Sequence, residues 1–125
     1  MKTKNFSTIQ SMMILNECLT KWMETVCAIK LKNTTIRNYY DNYNRIKGSI
    51  GHIKLLDLNQ ISIQDAVNDL VKKYKKSTIE STLYVLSSCL EYAVNNFVIT
   101  HNPCRGVVIN DCLKDFTPKE LEEDL

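Results

Sequence analysis

Ser77-Thr78-Ile79-Glu80-Ser81-Thr82-Leu83-Tyr84-Val85-Leu86-Ser87-Ser88-Cys89-Leu90-Glu91-Tyr92-Ala93-Val94-Asn95-Asn96-Phe97 is the stretch from which the fold is read. Ser77 and Glu80 stand three apart, the spacing of a capping box, in which hydroxyl and carboxylate each satisfy an orphan backbone N–H at a helix start. Ile79, Leu83, Leu86, Leu90, Ala93, Val94 and Phe97 then recur at helical spacing. Asn102-Pro103 closes the unit, because proline disfavours helix in the residue before it.

Upstream the same period recurs three times. Met12, Leu15, Leu19, Trp22 and Val26, with Met23 beside them, form one face of a first amphipathic helix. It ends before Lys32, where Asn33 or Thr34 can cap a second. That second helix carries Ile36, Tyr39, Tyr40, Tyr43, Ile46 and Ile50 on one side, and Thr34, Arg37, Asn38, Asp41, Asn42 and Arg45 on the other. Gly48 and Gly51 break the pattern, and Leu55 and Leu58 are placed to plug the core from the connector that follows. A third helix starts near Asn59 or Ser62, the latter offering a Ser62-to-Asp65 capping pattern, with Ile63, Val67, Leu70 and Val71 as its apolar face. Lys72, Lys73, Lys75 and Lys76 close it, where cations suit a helix C-terminus.

No alternation of apolar and polar residues persists long enough for a strand. The expected fold is all-α, four helices in a compact orthogonal bundle, with the start of a fifth helix at Thr117-Pro118-Lys119-Glu120. Residues 1–10 read as a flexible lead-in, 11–110 as the domain, and 111–125 as a linker with the start of a further domain.

At 125 residues, with a hydrophobic fraction of 44% and a charged fraction of 24%, the composition is that of an ordinary globular domain. No apolar run approaches the ~20 residues that span a bilayer, so the expectation is a cytoplasmic protein without membrane contact. Cys18, Cys27, Cys89, Cys104 and Cys112 make an odd number with no CxxC pair, which argues against a disulfide framework and against zinc. No metal and no cofactor is expected. The net charge of +2 hides an asymmetry. Residues 1–110 hold 14 Lys/Arg against 8 Asp/Glu, and residues 111–125 hold 2 against 6. The body is basic (+6) and the tail acidic (−4), a split that suits an anionic partner for the body.

Catalytic chemistry finds no constellation. The 3 glycines form no phosphate loop, and His52 and His101 have no acid or nucleophile with which they pair by spacing. Asp65 and Asp69 share a helix face, an arrangement usual for solvated surface. Tyr39, Tyr40 and Tyr43 sit beside Ile36 and Ile46, so at least two belong to the core. DNA binders, by contrast, hold phosphates with Lys, Arg, Ser, Thr, Asn and helix N-termini, and read bases from a helix in the major groove. Two helix starts have that make-up: Asn33-Thr34-Thr35-Ile36-Arg37-Asn38, followed by Asn42 and Arg45, and Lys75-Lys76-Ser77-Thr78, followed by Ser81 and Thr82. The plainer account of these residues is that Ser, Thr and Asn cap helices while Lys and Arg solvate the surface.

A resemblance favours the first account. From about Leu15 to Leu125 the chain resembles the SAM-like core-binding domain of tyrosine recombinases and phage integrases. Leu15, Leu19 and Trp22 match that family's first helix, and Thr34-Thr35-Ile36-Arg37-Asn38-Tyr39 its second helix start. Gly51-His52-Ile53-Lys54-Leu55-Leu56-Asp57-Leu58 matches its "GHxKLxDL" turn. Ser77-Thr78 with Leu86-Ser87-Ser88-Cys89-Leu90-Glu91-Tyr92-Ala93-Val94 matches its long helix, and Ile99 to Val107 its closing "NP…GV" phrase. Phe116-Thr117-Pro118-Lys119-Glu120-Leu121 is similar to the phrase with which such proteins enter their catalytic domain. The family's catalytic Arg, Lys, His and Tyr lie beyond that point, so none is assigned, and the chain is expected to be a piece of a longer recombinase.

The resemblance implies sequence-specific binding of double-stranded DNA, with the second and fourth helices against the major groove and the catalytic domain of the same parent chain closing the clamp. It implies contacts at Thr35, Arg37, Asn38, Asn42, Arg45, Lys76, Thr78 and Ser81, no catalytic residue, and a monomer in isolation. One departure is Glu80, where relatives often carry a basic residue: held in a capping box it does little harm, but facing DNA it weakens phosphate binding. The alternative from another class is a helical protein–protein module without DNA binding; it would gain if the Thr34–Arg45 face proved acidic or apolar, whereas the DNA reading needs Arg37, Arg45 and Lys76 to converge on one surface. A small helix-turn-helix regulator ranks last, because its two helices would lie too far apart in sequence for the tight turn.

Overall fold

The computed structural model describes residues 12–110, so the lead-in, the acidic tail, Cys112 and the expected fifth helix lie outside the described residues. Within that span the chain forms four helices and no strand. Helix α1 comprises Leu15–Trp22, a π-helical stretch Met23–Cys27 and a last turn Ala28–Lys30; α2 is Asn33–Ile50, α3 is Gln60–Val71 and α4 is Lys76–Asn95. The all-α expectation holds.

The apolar periods find each other as burial demands. Leu15, Cys18, Leu19 and Trp22 of α1 are buried, and the wider π turn carries Met23 and Cys27 to the same face. Thr25 donates its hydroxyl to the Lys21 carbonyl at 2.6 Å, a local side-chain bond that competes with the regular ladder where it widens. Met12, expected on this face, precedes the helix and is exposed. Tyr43, Ile46 and Ile50 of α2 are buried, with Ile36, Tyr39 and Tyr40 packed partly against the core. Trp22 stacks on Tyr39 with centroids 5.9 Å apart, and Tyr39 meets the edge of Tyr84 at 6.3 Å, an aromatic ladder across α1, α2 and α4.

The connector from 51 to 59 ties the start of α1 to the end of α2. Leu15 and Asn16 donate their N–H groups to the Ile53 and Gly51 carbonyls at 3.0 and 2.9 Å, so two orphan donors of the first turn are satisfied tertiarily. Leu55 N–H returns a bond to Met13, and Leu55 and Leu58 are buried as expected. The Tyr43 hydroxyl donates to the Asn16 side-chain oxygen. Gly48 does not break α2, since one interior glycine costs only about 1 kcal/mol. Gly51 is required instead, because a Cβ there would run into the Asn16 side chain and lie 2.6 Å from the Lys47 carbonyl.

Of the two starts offered for α3, the earlier is used: the Asn59 side chain accepts from the Ser62 N–H at 2.9 Å, and Ser62 is already inside the first turn. The Ser77–Glu80 capping box does not form. Helix α4 begins at Lys76 after an extended Lys75, and α2 likewise begins at Asn33 after an extended Lys32, neither with a side-chain cap. Both starts are exposed, where water satisfies the first-turn N–H groups. Phe97, expected in the core, is 91% exposed. It adopts a left-handed φ of 60° at the end of α4, with Val98 N–H bonded to Ala93 O and Phe97 N–H to Val94 O. That pair of bonds is a Schellman closure, a position that glycine normally fills.

Beyond it, the buried Asn102 fastens the chain to α4. Its Nδ2 donates to the Ser87 carbonyl and hydroxyl and to a Glu91 oxygen, and its Oδ1 accepts from the Cys104 N–H at 2.9 Å. Gln64 of α3 then grips Val108 through both its N–H and its carbonyl.

The left-handed Phe97 costs about 1 kcal/mol that glycine would not incur. Phe97→Gly is expected to raise stability by about 0.5–1 kcal/mol in urea unfolding; a loss of stability would show that the exposed ring contributes more than the backbone strain.

Candidate nucleic-acid interface

Helices α2 and α4 face each other along an interface that is apolar except at one end. There the buried Asn42 and Thr82 meet, with the Thr82 hydroxyl donating to Asn42 Oδ1 at 3.4 Å. Arg45, one turn on from Asn42, donates Nη1 to the same oxygen at 2.6 Å and lies 3.5 Å from the Thr82 hydroxyl. Its guanidinium also sits 5.6 Å from the centroid of the Tyr74 ring, a cation–π contact from the segment before α4. Asn42 Nδ2 donates to the carbonyl and side-chain oxygens of Asn38, each at 2.9 Å.

The result is an open polar notch of about 240 Å³ lined by Asn38, Asn42, Arg45, Ser77, Thr78 and Ser81. It is smaller than the roughly 300–1,000 Å³ of an enclosing small-molecule site. Arg45 is partly buried, and among the described residues no carboxylate lies within ion-pair distance of it. A cation so placed has given up water without gaining a counter-charge, and the notch presents hydroxyl and amide groups beside it. It suits an anion that arrives from outside.

Of the residues singled out in the sequence, Asn38, Asn42, Arg45, Thr78 and Ser81 come together here. Asn42 was placed on the solvent side of α2 and is instead 5% exposed, because its amide is fully hydrogen-bonded. Thr35 is half-buried and lies one turn before Asn38. Arg37 is exposed but, at about 100° per residue, falls on the flank of α2 that faces away from the notch. Lys76 points toward a second hollow, so Arg37, Arg45 and Lys76 do not converge. Sequence reading placed Ser77 in a phosphate-suited helix start and in the cap but not among the contacts, and missed Tyr74 and Thr82 as supports for Arg45. The i, i+3 step from Asn42 to Arg45 is the signal that could have found their contact.

Glu80 is exposed and borders the same region, lining the shallow extension formed by Asn38, Tyr39, Asn42, Ser81, Tyr84 and Val85. Its carboxylate is not held in a cap.

The larger hollow, about 560 Å³, lies between α4 and the chain from Cys104 to Ile109, with Lys76, Glu80, Leu83 and Tyr84 on its wall. The Cys104 thiol on its wall is pushed up to about 12 by burial, so it stays protonated at neutral pH. Cys18 and Cys89 meet in the core with sulfurs 3.7 Å apart, and that contact together with burial pushes the Cys89 thiol well up. Among the described residues no cluster of His, Cys, Asp and Glu could hold a metal ion, and no helix is long and apolar enough to cross a membrane.

Residues 14–71 match the sequence model of the phage integrase N-terminal SAM-like domain. Two solved structures share the fold. One is the N-terminal domain of the prophage pi2 protein 01 (integrase) from Lactococcus lactis, at TM-score 0.69 and 16% identity, covering 76% of this chain and 91% of that one. The other is a fragment from Clostridium leptum solved by solution NMR, at TM-score 0.69 and 21% identity, covering 83% and 94%. At those identities the likeness shows the fold alone. No curated protein sequence matches the chain. The chain thus shares the fold of the prophage integrase N-terminal domain, and its residues 14–71 match the model of the phage integrase N-terminal SAM-like domain. The matched region takes in α1, α2 and α3, and α4, which supplies Ser77, Thr78 and Ser81, follows it.

The buried thiols set a pH dependence. Cys104 rises from the ordinary 9.0 to about 12 on folding, so below pH 9 it is protonated in both states and contributes no difference. Above pH 9 the unfolded thiol ionises first, and stability falls by up to ~1.4 kcal/mol per pH unit for each such group. The urea midpoint is expected to be lower at pH 10 than at pH 8, with a smaller drop in Cys104→Ala. A midpoint that holds steady from pH 8 to 10 would contradict the burial argument.

Proposed function

We propose that this domain binds double-stranded DNA as the site-recognition module of a tyrosine recombinase, with the notch between α2 and α4 receiving the DNA backbone. The observation that carries the reading is Arg45: a partly buried cation, held by an amide, a hydroxyl and an aromatic face, and without a carboxylate partner among the described residues. Guanidinium groups pair with phosphate through parallel N–H bonds, and Ser77, Thr78 and Ser81 at the start of α4 offer hydroxyl and backbone donors alongside. Asn38, exposed beside the notch, is the residue placed to reach a base edge. Thr35 lies one turn before Asn38, and although Arg37 and Lys76 do not converge on the notch with Arg45, they would serve as outer phosphate contacts from other faces. The strand-breaking chemistry would belong to a catalytic domain of the same parent chain, and the isolated domain would be a monomer that binds DNA modestly and in a salt-dependent way.

A second reading has its own observation. Leu56 and Phe97 are 58% and 91% exposed and share a hollow with Val98 and Pro103, a surface that suits a protein partner.

Fluorescence anisotropy with a labelled duplex at low and moderate salt separates the two. Wild type is expected to bind with an affinity that falls as salt rises. Arg45→Ala should weaken binding about tenfold or more, as expected for loss of a charge-assisted contact of ~1.5–3 kcal/mol. Arg37→Ala, on the outer flank, should cost less. Glu80→Gln should strengthen binding about two- to fivefold, the size of one exposed charge. No binding at low salt, or an Arg37→Ala effect larger than that of Arg45→Ala, would contradict the reading.

A further inference from the structure

Asn42 does not have the surroundings of a DNA contact. It is 5% exposed, and its amide is used up inside the protein. A carboxamide offers two N–H donors and an oxygen with two lone pairs. Here Nδ2 gives both donors to Asn38, while Oδ1 receives Arg45 Nη1 at 2.6 Å and the Thr82 hydroxyl at 3.4 Å. The orientation of the amide is forced, because the Asn38 carbonyl can only accept and the Arg45 guanidinium can only donate. Nothing remains for a phosphate or a base.

We infer that Asn42 is a positioning residue: it acts on DNA only through Arg45, by holding that guanidinium in the notch before the ligand arrives. The inference rests on the DNA-binding reading above. Arginine is long and has many rotamers, and ordering it at the moment of binding weakens the complex. Asn42 and Thr82 hold Nη1 from below and Tyr74 lies against the flat face, leaving Nη2 and Nε of the same group for the DNA. The support is neutral throughout. An aspartate at 42 would pair with Arg45 but would lose both N–H bonds to Asn38 and cancel the charge that a phosphate requires, so an amide is the side chain that both anchors the cation and leaves it a cation.

A double-mutant cycle tests this, with each variant first shown by its thermal melt to be folded. Asn42→Ala should weaken duplex binding about three- to tenfold in the wild-type background and by less than about 1.5-fold in Arg45→Ala. Asn42→Asp keeps the size but turns a carboxylate toward the Asn38 oxygens, so its melt is read first; where it folds, it should weaken binding at least as much as Asn42→Ala while Arg45 is present. In the free domain, the NMR order parameter of the Arg45 Nε–H should drop in Asn42→Ala. Additive losses in the cycle, or an Arg45 order parameter that does not change, would overturn the inference while leaving the DNA-binding reading intact. Absence of duplex binding by the wild type would overturn both.

Discussion

The burial of the inner face of α4 is the constraint on which the rest of the domain depends. Ile79, Val85, Leu86, Cys89, Leu90 and Ala93 are all within 1% of complete burial, and they pack against α1, α2 and α3. Burying a side chain of this kind contributes about 1.5–3 kcal/mol, so the helix cannot rotate without losing several such contributions together. Thr82 lies on that same inner face, also 1% exposed, and must bring its hydroxyl into the core with it. A buried hydroxyl needs a partner. Asn42 of α2 supplies it, and the Asn42 oxygen in turn holds Arg45. The apolar contact thereby fixes the position of a charged group at the rim of the same interface.

Much of this fold is legible as periodicity. Leu15, Leu19 and Trp22, then Ile63, Val67, Leu70 and Val71, step at helical intervals and are all buried, and Leu55 and Leu58 enter from the connector as plugs. The errors fall where a residue's class and its surroundings part company. Phe97 is apolar, and continuing the α4 period puts it inside; the chain has already turned left-handed at that residue, and the ring stands in solvent. Asn42, read as solvent-facing, and Asn102, read only as part of the closing Asn-Pro pair, each have their hydrogen bonds satisfied internally and are buried without penalty. Ser77 and Glu80 have capping-box spacing, but the helix starts before them, since an exposed start needs no side-chain cap.

The candidate site was readable in part for the same reason. The residue types near the starts of α2 and α4 identify those two segments as suited to phosphate, and five of the eight singled out meet at one notch. What spacing could not supply was the phase of each helix relative to the other. Arg37 and Arg45 look equivalent in the sequence, and only the packing of α2 on α4 turns Arg45 inward against Tyr74 and Thr82 while leaving Arg37 on the outer flank. The domain's basic character is thereby resolved into one cation held at the notch and others exposed on the surface. On the proposed DNA-binding reading the two would contribute differently: the held cation would fix register on the duplex, and the exposed ones would add salt-sensitive attraction.

The most direct test of the claim that DNA seats in this notch is a map of backbone and Arg45 side-chain NMR shifts as duplex is titrated into the labelled domain. The account predicts that the largest changes fall on the Arg45 Nε–H, on Asn38, and on the amides of Ser77, Thr78 and Ser81, with α3 and the Leu56–Phe97 hollow undisturbed. Shifts centred on Leu56 and Phe97, with the notch silent, would contradict it.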